Sequence, residues 1–147
     1  MSRVEFELPE RFPFRTELPV RISDLNYASH VGHDRLLSLT HEARVQLFAA
    51  HGWTELDVAG VGIAIADLAA VYRVEVKYGM VVVVEVAVTA LRTRACDLYY
   101  RLSRKDTGAE VARVKTGIVF LDYRSGKVAH VPEPFRRVFG EPGGSPT

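Results

Sequence analysis

The feature that most limits what this chain can fold into is a single change of hydrophobic period. Between about Asp34 and His51, Leu36, Leu37, Thr40, Ala43, Leu47 and Phe48 recur at helical spacing, and Gly52 supplies a stop. After Gly62 the spacing becomes that of strands. Ile63–Val76 is apolar apart from Asp67, Arg73 and Glu75, and Val81–Leu91 is dominated by valine. From Asp97 to Arg104, Leu98, Tyr100 and Leu102 alternate with Tyr99, Arg101 and Ser103. The turn signals KDTG (105–108) and RSGK (124–127) bracket a strand expected over Glu110–Tyr123. A short returning strand, Val128–Val131, and a short helix over Pro132–Phe139 follow. Upstream, Leu18, Val20 and Ile22 alternate within Phe14–Ser23, where Pro19 argues for an edge strand or a bulge.

One strand, one long helix and a run of hairpin-linked strands describe an α+β protein, an antiparallel sheet of five to six strands with the helix on one face. The apolar residues of the helix fill more than one narrow stripe, so the sheet is expected to wrap around it. At 147 residues the chain fits one domain over 1–147, with an N-terminal arm at 1–13 and a disordered tail at 140–147. Ile63–Val76 is apolar on both faces. Its second face needs cover, which another copy of the chain supplies most cheaply, so a homodimer or homotetramer is expected.

Charge narrows the partners. With 19 Lys and Arg against 18 Asp and Glu, the net charge of +1 gives no basis for bulk nucleic-acid binding or for an anionic membrane surface. No apolar run approaches the roughly 20 residues of a spanning helix. The opening MSRVEFELPERFPF lacks the apolar core of a signal peptide, so a cytoplasmic setting is expected. Cys96 stands alone, and among the five histidines only His30 and His33 lie close together, so no metal site is expected.

The segment Val20–Arg44, VRISDLNYASHVGHDRLLSLTHEAR, resembles the opening of the 4-hydroxybenzoyl-CoA thioesterase-like branch of the hot-dog superfamily. That pattern runs strand, Asp-x-Asp, a small-residue turn, His-Val-Asn-Asn, then a helix containing Glu-Ala-Arg. Asp24, His30, Val31, Glu42, Ala43 and Arg44 match it, and the element order matches over about residues 14–123. The resemblance implies a hot-dog fold, an acyl-CoA substrate, no cofactor beyond the coenzyme A of that substrate, and active sites at subunit interfaces. It also marks three departures. Asn26 stands where the family has the second Asp, its usual nucleophile or base; His33 replaces an Asn; and Met80 follows Gly79 where an Asp is common.

Hydrolysis of a thioester needs a polarised carbonyl, an activated water or nucleophile, and a grip on coenzyme A. Gly32, just before the long helix, either lets substrate approach free amides at the helix start or simply makes a turn. Asn26 either orients water or the carbonyl, or closes an Asx-turn; as an amide it is no base. His30 is a candidate base or a structural link across the turn. Glu42 shares a helix stripe with Asp34 and Ser38, and either acts with Asn26, as a swapped version of an Asn-acid pairing in other hot-dog thioesterases, or pairs with Arg44 or a neighbouring chain. Asp24 is the other acid of the motif and suits loop support. Asp67, in an apolar strand, is a base or acid with a raised pKa if buried, or a bystander if exposed at a bulge. Arg73, Lys77, Arg113 and Lys115 are candidates for the coenzyme A phosphates. A hot-dog protein that binds an acyl ligand without catalysis, and a dehydratase pairing His30 with Asp67, are the alternatives.

Overall fold

In the computed structural model, residues 4–140 are described. The elements follow in the order β1 (Phe14–Pro19), a 3-10 turn (Ile22–Asp24), α1 (His33–Ala49), β2 (Gly62–Tyr72), β3 (Val81–Thr89), β4 (Ala95–Arg104), β5 (Glu110–Asp122), β6 (Lys127–Val128) and α2 (Glu133–Phe139). The six strands form one antiparallel sheet in the order β1-β3-β4-β5-β2, with β6 paired to β5. β1 is an end strand, as Pro19 requires, and Pro19 lies opposite Val81 at the limit of the pairing. β2 is the other end strand of that order. The expected tail lies outside the described residues from position 141 onward.

Two compact units are drawn from these elements. The first takes, among the described residues, 4–44, Ala69–Ala87 and Tyr99–Val114. Leu36, Leu39, Thr40, Ala43 and Arg44 form its buried helical stripe, spaced by three and four residues as one helix face demands. Leu37, expected in that stripe, is only half-buried, and Leu39 takes its place. The register follows from Arg44, which lies on the buried face and donates from Nη1 to the Tyr100 hydroxyl at 3.1 Å. Leu18 and Val20 are buried as the alternation predicts, but Ile22 is 72% exposed because the chain leaves the strand for the 3-10 turn. Residues 4–13 carry no helix or strand. This arm is fastened by Arg113 Nη1 donating to the Phe6 carbonyl at 2.9 Å, by Phe6 against Tyr99, and by Arg101 over the Phe12 ring at 4.8 Å.

The second unit takes, among the described residues, Val45–Leu68, Val88–Leu98 and 115–140. Its core gathers Leu47, Phe48, Leu98, Ile118, Phe120 and Phe135. Phe135 brings α2 in, with its ring 6.2 Å from Phe48 and 5.1 Å from Phe120, both edge-on. The KDTG turn of the first unit and the RSGK turn of the second each form with their glycine at positive φ, at Gly108 and Gly126.

Candidate functional site

The loop between β1 and α1 builds the site. Leu25 and Val31 form an isolated antiparallel bridge, and the Asn26 amide donates to the His30 carbonyl at 2.9 Å, closing a five-residue loop. Within it the Asn26 Oδ1 accepts the Ala28 amide at 2.9 Å, an Asx-turn, and Ser29 takes a positive φ of 64°. The amide of Val31 then donates to the Val76 carbonyl at 2.8 Å, tying the end of the loop to the segment that follows β2. This pairing carries the preceding residues, His30 and Glu75, toward each other.

Beneath the loop Asp24 is 3% exposed, and its Oδ2 accepts the Arg21 amide at 2.8 Å. It braces the 3-10 turn. Asn26 is differently placed. Its carbonyl oxygen accepts from Ala28, and on the side of Gly32 it offers the NH2, which lies 3.5 Å from where a Cβ at Gly32 would stand. Asn26 therefore presents hydrogen-bond donors. Gly32 is buried, and any side chain there would meet Asp34 Oδ1 at 2.7 Å as well as Asn26. The Gly32 carbonyl accepts from the amides of Arg35 and Leu36, so the amides of His33 and Asp34 open α1 with no acceptor inside the helix.

These groups border a cleft of about 340 Å³, lined by Asn26, His30, Gly32, His33, Tyr72 and Glu75 among others. The His33 ring stands edge-on to Tyr72 with centroids 6.3 Å apart. Burial, and secondarily the charge of Asp34, pushes the Tyr72 hydroxyl above its ordinary pKa. His30 Nδ1 is 3.4 Å from the Val31 carbonyl, and its Nε2 is 3.7 Å from Glu75 Oε1. Of the residues expected from sequence, the structure brings Asn26, His30, Gly32 and Arg73 to this cleft. It adds Glu75, Tyr72 and His33. Glu75 is a cleft-lining carboxylate that the sequence does not single out, because one charge in an apolar run carries no periodic signal.

The other candidate acids stand elsewhere. Glu42 is exposed on α1 with Asp34 and Ser38, so the shared stripe is the outward face. It does not pair with Arg44, which points into the core two residues on. Asp67 is open within one chain: its side chain is 62% exposed, the second of the two alternatives left by the sequence. Lys115 Nζ lies 2.7 Å from its Oδ1, and the Gly117 amide donates to the same oxygen at 3.0 Å. The hydrogen bond from Lys115 holds the Asp67 carboxyl below the ordinary range, the reverse of the raised pKa a buried acid would show. Cys96 is fully buried, which pushes its thiol up to about 12 and leaves no thiolate nucleophile at neutral pH.

Three of the four candidate phosphate-binding cations already have partners. Arg73 Nε donates to Glu110 at 2.6 Å and its Nη2 to Glu5 at 3.2 Å. Arg113 holds Glu110 and the Phe6 carbonyl, and Lys115 holds Asp67 with Asp97 3.6 Å away. Lys77 is exposed. Among the described residues no group of three or more His, Cys, Asp or Glu is arranged to hold a metal ion, and no helix is long and apolar enough to cross a membrane.

Comparison with known proteins bears on this site. The family model described as the thioesterase-like superfamily matches residues 20–139. No curated protein matches the chain. Several solved structures share the fold. A candidate thioesterase from Pseudomonas aeruginosa superposes with a TM-score of 0.80 at 23% identity, covering 87% of this chain and 98% of that one. A thioesterase superfamily member from Jannaschia sp. CCS1 gives 0.78 at 22%, covering 89% and 83%. A 1,4-dihydroxy-2-naphthoyl-CoA thioesterase from Synechocystis gives 0.77 at 19%, covering 84% and 92%. At these identities the likeness speaks to fold alone.

Proposed function

This chain belongs to the thioesterase-like superfamily and has its hot-dog fold, and from that premise we propose that it hydrolyses an acyl-CoA thioester to the free acid and coenzyme A. The observation that carries the reading is the convergence, on one cleft, of open donors and a histidine. The Asn26 NH2 and the amides that open α1, which have no acceptor inside the helix, belong to residues at or beside this cleft and would serve a thioester carbonyl that gains negative charge there. His30, anchored through its backbone to Asn26, supplies the base.

With an amide at position 26 the attacking group is water, not an enzyme carboxylate. Water adds to the carbonyl carbon as its proton passes to His30, and the oxyanion rests on the Asn26 and helix-start donors. Collapse breaks the C–S bond, and the protonated His30 returns the proton to the departing thiolate. Lys77, exposed and close in sequence to Arg73 and Glu75, remains a candidate for the phosphates of coenzyme A.

The working form in this reading is a homodimer joined along β2. That end strand leaves Ile65 (42%), Leu68 (47%) and Tyr72 (45%) exposed, and a long apolar edge strand is a template for pairing. One observation favours a second reading, an acyl-ligand binder without turnover: the position of the family's acid holds an amide whose oxygen is occupied by Ala28. Assay of the unaltered protein with short, medium, long and aromatic acyl-CoAs, detecting released thiol, separates the two. Turnover supports the hydrolase; binding without turnover supports the second reading.

A further inference from the structure

We propose that Glu75 supplies the carboxylate that position 26 lacks, holding the hydrolytic water jointly with His30. This rests on the hydrolase reading above. It starts from the backbone: Val31 donates to the Val76 carbonyl, so the residue before each, His30 and Glu75, meets across the same wall of the cleft. Among the six cleft residues named above, Glu75 is the carboxylate.

The geometry of the pair fits a shared water. His30 Nδ1 faces the Val31 carbonyl at 3.4 Å, an acceptor only, which favours the tautomer with the proton on Nδ1. The lone pair then sits on Nε2, on the side of Glu75. At 3.7 Å, Nε2 and Oε1 are too far apart for a direct hydrogen bond. They are close enough for one water to donate a proton to each at ordinary distances of about 2.8 Å. Such a water has both hydrogens committed and a lone pair free for the thioester carbon. One proton moves to Nε2 as the C–O bond forms. The Glu75 charge beside the ring then stabilises the imidazolium, which later protonates the leaving thiolate.

Other charged groups near His30 do not replace Glu75. Arg73, on the same segment, is drawn toward Glu110 and Glu5. His33 and Tyr72 face each other across the cleft, and Asp34 lies at the helix start against Gly32. Two-thirds of the Glu75 side chain is exposed, so replacing it leaves the core untouched and the group reachable by water.

The test compares Glu75→Gln, Glu75→Asp, His30→Ala and the double variant Glu75→Gln/His30→Ala with the unaltered protein on the best acyl-CoA of the panel. The expected result is a loss in kcat of about 100-fold for Glu75→Gln, with KM little changed, and partial recovery in Glu75→Asp. The double variant should be no slower than His30→Ala by more than a small factor, since the pair acts as a unit. A Glu75→Gln protein with unaltered kcat, or losses that multiply in the double variant, would overturn the proposal. The ring ¹⁵N signals of His30 give a reading independent of activity. The Nε2 resonance should move on Glu75→Gln, and one that stays in place rules out the pairing. An unaltered protein that hydrolyses nothing removes the hydrolase reading, while the resonance still judges the pair.

Discussion

Asn26 Oδ1 accepts the Ala28 amide at 2.9 Å, and this one bond decides what the side chain can offer the cleft. It fixes the amide orientation, turning the NH2 toward Gly32. Asn26→Asp keeps an acceptor for Ala28 and therefore the loop, but replaces the donor with a negative charge where the oxyanion forms. The expected outcome is a native circular dichroism spectrum with kcat/KM reduced on the order of 100-fold, the scale of losing one oxyanion donor. A gain in activity would mean that position 26 still calls for the family's acid and that the unaltered chain is a binder.

The Asp67–Lys115 pair yields a pH prediction. The Asp67 carboxyl is held low in the folded chain by the Lys115 hydrogen bond, so its contribution to stability is present above the unfolded value of about 3.9. That contribution is lost as pH falls through the lower folded value, which places the loss below about pH 4. Because the Asp67 side chain is 62% exposed within one chain, Asp67→Asn should cost the protomer less than about 1 kcal/mol at neutral pH and leave hydrolysis intact. Denaturant midpoints at pH 7 and pH 3 check the first part. A collapse of kcat in Asp67→Asn would return Asp67 to the chemistry.

Arg44 of the Glu-Ala-Arg motif is a structural residue here, 6% exposed and donating to the Tyr100 hydroxyl. Tyr100→Phe removes an acceptor from a buried guanidinium and should destabilise by about 1–3 kcal/mol in chemical denaturation. Unchanged stability would mean that the other contacts of Arg44 suffice.

Much of the fold was legible because the signals were periodic. The shift from helical to strand spacing after Gly62 fixed the order of elements, and of the edge or bulge that Pro19 argued for, the structure has the edge. The helix face was read less accurately: Leu37 and Leu39 are equally apolar, and only packing around Arg44 selects Leu39. Asn26 and His30 stand out in the sequence by their places in the motif and Gly32 by its place before the helix, and all three border the cleft. Glu75 does not stand out, because its place beside His30 depends on the Val31–Val76 hydrogen bond, a long-range pairing that no local pattern encodes. For Asp67 the sequence left burial and exposure open for a related reason. An apolar strand suggests burial, but an end strand leaves its middle open within one chain.

Exposure along β2 predicts the assembly. Leu68→Lys places a charge on the edge proposed to join two copies, and should shift the protein toward monomer in sedimentation velocity at micromolar concentration. The same sedimentation coefficient in variant and unaltered protein would assign the interface to another surface.

The most direct measurement is steady-state thiol release by the unaltered protein across the acyl-CoA panel, at neutral pH and with enzyme-free controls. The account predicts saturable turnover of at least one acyl-CoA, abolished or much reduced in His30→Ala. Saturable binding of acyl-CoA with no thiol released from any member of the panel would contradict it.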